Sequence, residues 1–220
     1  KPGVDTGKYL LEKGHKHIAY MSLFHEYSWS QIRYRGLCRA FADIPGASTP
    51  RLFSLDTTGL PIMVLARLWD TVRPAGRLME QFEQDNVCLS RNPWKQLTAV
   101  RQGLDRFLDS LYRGRFYALL DQALSHPEIT AWVCANDDIA YECLSFLRKR
   151  TIRVPQQIGV VGFDDLEDSF LWDLTSYNFN ASAIFNTMLS YILDPPFSAV
   201  SVSNADVVEM DGYIRQRHSA

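Results

Sequence analysis

The chain reads as an α/β protein: a parallel sheet with helices on both faces. Three observations point there. The short runs HIAYMS, ITAWVCA and IGVVGF are apolar throughout, as strands buried on both sides must be. Helical patterns stand between them, and strand, helix, strand in repetition implies parallel pairing. Finally, 220 residues with 46% hydrophobic and 22% charged are enough for a substantial core, which excludes disorder and a stapled mini-protein.

Asp5 is placed to cap a short first helix carrying Tyr9, Leu10 and Leu11, and Gly14 to end it by taking the left-handed conformation. A strand over 17–22 follows at once. After the loop LFHEYSW, Ser30 stands at an N-cap position before a helix whose Tyr34, Leu37, Cys38 and Phe41 share a face. From 51 to about 126 the periodicity is mostly helical, with Leu104, Phe107, Leu108 and Leu111 three and four apart. A buried strand is expected from Ile129, then Asp137 as N-cap of the helix IAYECLSFLRKR, then a strand in IGVVGF. LTSYNF reads as a short strand, and Asn180 or Ser182 starts a helix to Leu193 that Pro195 and Pro196 end. The tail VVEMDGYIRQRHSA holds a last strand-like run.

A net charge of −2 leaves no basic excess for gripping phosphates, so this chain is not expected to bind DNA itself. Cys38, Cys88, Cys134 and Cys143 are widely spaced, without a zinc-ligand pattern, and read as buried thiols of a cytoplasmic protein. No apolar run approaches the roughly 18 residues of a membrane span, and no signal-peptide core opens the chain. It starts at Lys1 rather than Met, which suggests a fragment or a processed product. His15 and His17 lack a third ligand and read as surface residues rather than a metal pair. Arg148 to Arg153, RKRTIR, reads as a solvated helix end.

In such a fold, chemistry sits in the crevice beyond the carboxyl ends of the strands. Asn136 and Asp137 follow one strand, Asp164 and Asp165 another, and Arg33 lies in the first turn of the helix after HIAYMS, so they converge on one rim. An amide, a carboxylate and a guanidinium suit the vicinal hydroxyls of a sugar or a similar polar ligand. Phe163, Phe170, Trp172 and Tyr177 offer stacking faces nearby. Each also has a plainer reading: Asp137 as a helix cap, Arg33 as a surface ion pair, Asp165 as a binder of loop amides, the aromatics as core.

Taken in order, YLLEKGHKHIAYMS, SQIRYRG, ANDDIAYECL, VPQQIGVVGFDDLEDS, LTS and RQRHS resemble the effector-binding part of the lactose/galactose repressor family, whose fold is that of the periplasmic sugar-binding proteins. The resemblance covers both ends of the chain but not its middle. It implies a bacterial transcription regulator whose two-lobed domain closes on a sugar-like effector and changes the DNA affinity of an attached headpiece. It also implies that the Arg of R-x-x-G, the Asn of ANDD and the first Asp of GFDD bind the effector; here they are Arg33, Asn136 and Asp164. Asp138, in the same ANDD motif, and Tyr112, standing in for the family's aromatic stacker, complete the candidate set. Asp173 replaces the Pro usual before LTS.

On this reading residues 1–172 form the second effector-binding lobe with a helical insertion at about 51–110, residues 173–197 belong to the crossover, and 198–220 return to the lobe. The first lobe and headpiece would precede residue 1. The expected function is effector sensing without catalysis, metal or cofactor, in a cytoplasmic homodimer that reaches DNA only through the headpiece and has no membrane contact. A transport-type sugar-binding protein is the alternative. An enzyme using Asp164 and Asp165 as paired carboxylates is disfavoured, because adjacent residues at a strand end point in different directions. The helix face of Ile184, Met188, Leu189 and Ile192 is expected to be covered by a second copy or by residues 51–126.

Overall fold

The computed structural model describes residues 1–23, 25–55, 113–193 and 209–220. Helix α1 spans Pro2–Glu12, strand β1 Ile18–Ser22, helix α2 Ser28–Phe41 and strand β2 Arg51–Ser54. A helix described over 113–124, α3, precedes β3 (Ala131–Cys134), α4 (Asp137–Lys149), β4 (Gly159–Phe163), α5 (Asp168–Leu171), β5 (Thr175–Asn178), α6 (Ala181–Leu193) and β6 (Tyr213–Arg215). The chain divides into two compact units, Lys1–Ser54 with Leu119–Ala220, and Leu55–Ala118. Of the second unit only residue 55 and residues 113–118 are described.

The first unit carries one six-stranded sheet in the order β2-β1-β3-β4-β5-β6, parallel except for β6, which runs antiparallel to β5. Every residue of β1, β3 and β4 is buried, which is why these strands are uniformly apolar. Helices cover both faces. Tyr20 packs against Tyr34 of α2 and donates to Ser30, whereas Trp132 and Cys134 meet Phe146 and Cys143 of α4. Cys134 and Cys143 are buried free thiols, Cys38 is half-buried, and Cys88 lies outside the described residues.

Several boundaries differ from the sequence reading, each for a physical reason. Helix α1 begins at Pro2 rather than after Asp5, with Pro supplying a helical φ in the first turn and Asp5 a negative charge there. Its other end is as expected: Gly14 takes φ +89, its N–H donates to Leu11 O and that of His15 to Leu10 O. Ser30 is not the cap of α2. The helix starts at Ser28 after extended Tyr27, and the Ser30 hydroxyl is buried beside those of Tyr20 and Ser22. The cap of α4 is Asn136, whose Oδ1 accepts the Ile139 N–H at 3.1 Å, and not Asp137. Strand β2 was not foreseen: an edge strand with one buried residue carries little apolar signal. His15 and His17 bond Thr130 and Ser48 as loop residues, and Arg148, Lys149 and Arg150 are exposed at the end of α4. Leu104 to Leu111, Tyr112, Pro195 and Pro196 lie outside the described residues.

Candidate functional site

The strand order reverses between β1 and β3, and helices leaving adjacent strands to opposite sides open a crevice at that point. Three chain segments meet there. Arg33, in the second turn of α2, reaches past the end of β3 to that of β4: its Nη1 donates to Ala135 O, and its Nη2 donates to Asp164 Oδ1 at 2.9 Å. The guanidinium lies 4.9 Å from the Trp29 ring, 4.8 Å from Phe163 and 4.9 Å from Phe179. Trp29 stands four residues before Arg33, hence on the same helix face, and Phe179 directly follows β5. These rings fix the guanidinium plane while leaving Nε and one N–H on each Nη for a further acceptor.

Asp164 has φ +106, a conformation rare for an L residue and one that turns its carboxylate back over the sheet end. Its side chain is 33% exposed against 13% for Arg33, so the acid is the open partner of the pair. Burial raises its carboxyl above the ordinary range, the Arg33 charge and hydrogen bond oppose this, and nearby Asp138 adds to the rise. Asn136 is half-buried; its Oδ1 is taken by the helix cap, and its Nδ2 has no hydrogen-bond partner among the described residues. Asp138 is exposed in the first turn of α4. Arg33, Asn136, Asp138 and Asp164 are thus drawn to one rim, and Tyr112 lies outside the described residues.

The loop that presents Asp164 is held from beneath. Asp137, fully buried, accepts the Ser176 hydroxyl at 2.6 Å on Oδ1, and the Ser169 hydroxyl at 2.7 Å and the Leu166 N–H at 2.9 Å on Oδ2. Gly162 leaves room for it: a Cβ there would stand 2.1 Å from Asp137 Oδ1. Burial pushes the Asp137 carboxyl up, and the three donors pull it back only in part. Asp165 faces away from Asp164. It receives Asn178 Nδ2 and Arg217 Nη2, each at 2.7 Å, and pairs with Arg215 Nε at 2.8 Å, instead of binding loop amides. Burial raises its carboxyl, but the hydrogen bonds from Asn178 and Arg217 and the charges of Arg217 and Arg215 outweigh burial, so the net shift is downward. Of the aromatics foreseen near the rim, Phe163 and Tyr177 are core, Phe170 is exposed on α5, and Trp172 stacks on Tyr141. Trp29 and Phe179 were missed, although the place of Trp29 four residues before Arg33 was an available signal.

The arrangement offers donors and acceptors in fixed planes but no activated nucleophile. Among the described residues no group of three or more His, Cys, Asp or Glu is placed to hold a metal ion, and no helix is long and apolar enough to cross a membrane.

Residues 8–195 match the model of the periplasmic binding protein-like domain. The HTH-type transcriptional regulator IdnR of Escherichia coli K12 is 40% identical over 63 residues, which are 28% of this chain and 18% of that protein. Among solved structures, a sugar-binding transcriptional regulator of the LacI family from Escherichia coli, complexed with phosphate, superposes with a TM-score of 0.58 at 16% identity over all of this chain and 60% of that one. The Escherichia coli transcriptional repressor ascG gives 0.59 at 18% identity, again over all of this chain and 60% of that one. A LacI-family regulator from Enterococcus faecalis with bound ribose gives 0.58 at 14%, over 99% of this chain and 59% of that one. At these identities the structural likeness shows the fold, and the chain spans about three fifths of each neighbour.

Proposed function

The chain belongs to the periplasmic binding protein-like domain family, and on that premise we propose that it is the effector-sensing part of a bacterial transcription regulator that binds a sugar or similar polar metabolite. One observation carries this: the Arg33 guanidinium, held by rings on its faces, joins Asp164 and Ala135 across the point where the strand order reverses. The unused Arg33 N–H groups and Asn136 Nδ2 donate to ligand oxygens, and Asp164 Oδ2 accepts from a hydroxyl. Asp138 lies within reach of the same ligand, and Tyr112 is the aromatic stacker. The regulators of similar fold solved with ribose and with phosphate are in keeping with a small polar ligand.

Residues 1–172 act as one lobe with a helical insertion at about 51–110, 173–197 as the crossover and 198–220 as the return. The domain binds without catalysis, in the cytoplasm, as part of a homodimer that contacts DNA through a domain outside this chain. Two geometric facts stand against an enzyme using paired carboxylates: Asp164 and Asp165 address different partners, and Asp165 is committed to two arginines.

The test is calorimetric titration of the 220-residue chain with a panel of neutral pentoses and hexoses, ribose among them. Asp164→Asn and Asn136→Ala should leave the thermal melt intact and weaken binding of the responding sugar by about ten- to a hundredfold, the size of one charge-assisted hydrogen bond. Unchanged affinity in both variants would remove the site assignment.

A further inference from the structure

A second polar cleft, of about 380 Å³, opens at the amino-terminal end of β4, where Ser219 bonds both the N–H and the C=O of Val160. It lies at the opposite end of that strand from Asp164 and shares no residue with the site above. Its size is that of a small-molecule pocket. Arg148 at the end of α4 and Arg153 just beyond line it, and neither guanidinium has a carboxylate partner among the described residues. The acid in the cleft, Asp173, hydrogen-bonds His218 Nδ1 at 2.7 Å. The floor is aromatic: Trp172 stacks on Tyr141 at 5.9 Å, and the Arg148 guanidinium sits 5.6 Å from the indole.

Thr151 and Asp173 both line the cleft and hold left-handed conformations, φ 58 and φ 52, as the residues that end α4 and α5: the Ile152 N–H donates to Leu147 O and the Leu174 N–H to Ser169 O. The carbonyls of Phe146, Leu147 and Arg148 are taken by the N–H groups of Arg150, Thr151 and Ile152.

We propose that this cleft binds a small oxyanion, phosphate or carboxylate, carried on a planar body: Arg148 and Arg153 hold the anion while the body lies on Trp172. Paired guanidinium forks match the geometry of both anions, and an indole face accepts any planar group. The site is separate from the strand-end crevice and does not depend on what binds there.

The experiment is calorimetric titration of the full chain with phenyl phosphate, benzoate and inorganic phosphate. Phenyl phosphate or benzoate should saturate one site and bind about tenfold or more tightly than inorganic phosphate, and the tighter of the two identifies the anion. The double variant Arg148→Gln, Arg153→Gln should weaken that binding by about ten- to a hundredfold. Arg153→Glu alone, at an exposed position, gives the same direction with less disturbance of the Trp172 contact. Trp172→Leu should reduce the margin over inorganic phosphate. Absence of saturation by every probe at concentrations on the order of 10 mM overturns the proposal. So does wild-type affinity in both arginine variants.

Discussion

Asp137 is a fully buried carboxylate that meets two hydroxyls and one amide instead of a cation. Through Ser176, whose Oγ also accepts the Asp165 N–H at 3.1 Å, and through Leu166, it fixes the loop on which Asp164 is turned to positive φ. Burial raises its carboxyl in the folded chain. The folded state therefore holds the proton more tightly than the unfolded state does. The stability tied to this group is complete below the ordinary carboxylate range and is lost as pH rises through the raised value. Asp165, with its carboxyl net lowered, acts in the opposite sense, contributing above the ordinary range and losing that contribution as pH falls through the lowered value. Asp137→Asn turns one acceptor oxygen into a donor facing donors and should cost about 1–3 kcal/mol in chemical denaturation. Repeated between pH 4 and 7, the gap between wild type and variant should narrow as pH rises; a widening gap would mean that the donors outweigh burial. The sequence placed this aspartate at the right helix end but gave it the cap, because Asp and Asn are near-equivalent as caps and only the fold decides which of two neighbours is extended.

At the scale of elements, α2 carries Arg33 and α1 sets where α2 lies. The two helices approach so closely that a Cβ on Gly36 would stand 2.9 Å from Gly3 Cα and Val4 N, and one on Gly3 only 2.0 Å from Arg33 O. The glycine of R-x-x-G is therefore a spacing device one turn after the site arginine. Gly36→Ala should destabilise the chain by about 1–3 kcal/mol through overpacking, and by displacing α2 it should also weaken sugar binding. Denaturation and titration on the same variant would check both; a stable variant with unchanged affinity would show that α1 gives way without moving Arg33. Strands β1, β3 and β4 were legible because burial on both faces forces every residue to be apolar. The edge strands β2 and β6, four and three residues long with at most one buried, carry no such mark. Ser30 looked like a cap by residue type, whereas the fold spends its hydroxyl on Tyr20 and Ser22 across the α2–β1 contact, a pairing local sequence does not express.

For the whole molecule, sequence order gives the strand ends but not which strands are neighbours. Hence Arg33, Asn136 and Asp164 could be assigned to one rim, while Phe179 against Arg33 became visible only once β5 was seated beside β4. The same seating leaves α6 as an unbalanced element. None of its residues is buried, and Ile184, Phe185, Met188, Leu189, Tyr191, Ile192 and Leu193 are all exposed, from 40% at Ile184 to 80% at Leu193. Part of this surface borders an apolar groove of about 540 Å³ that Phe179 and Met210 complete. Apolar area in water costs about 25 cal/mol per Å², and a continuous face of this size is seldom left open in a monomer. Of the two covers expected from the sequence, residues 51–126 lie mostly outside the described residues, and a second copy is the cover put to the test. The 220-residue chain should therefore associate as its concentration rises from low to high micromolar values in sedimentation velocity. Met188→Glu with Ile192→Glu should return it to the monomer without changing its circular dichroism, since both side chains are more than half exposed and support no core contact. A wild-type chain that sediments as a monomer across that range would mean that α6 is tolerated in water, and a double variant that still associates would place the contact elsewhere, with exposed Phe170 and Leu171 of α5 the next surface to substitute.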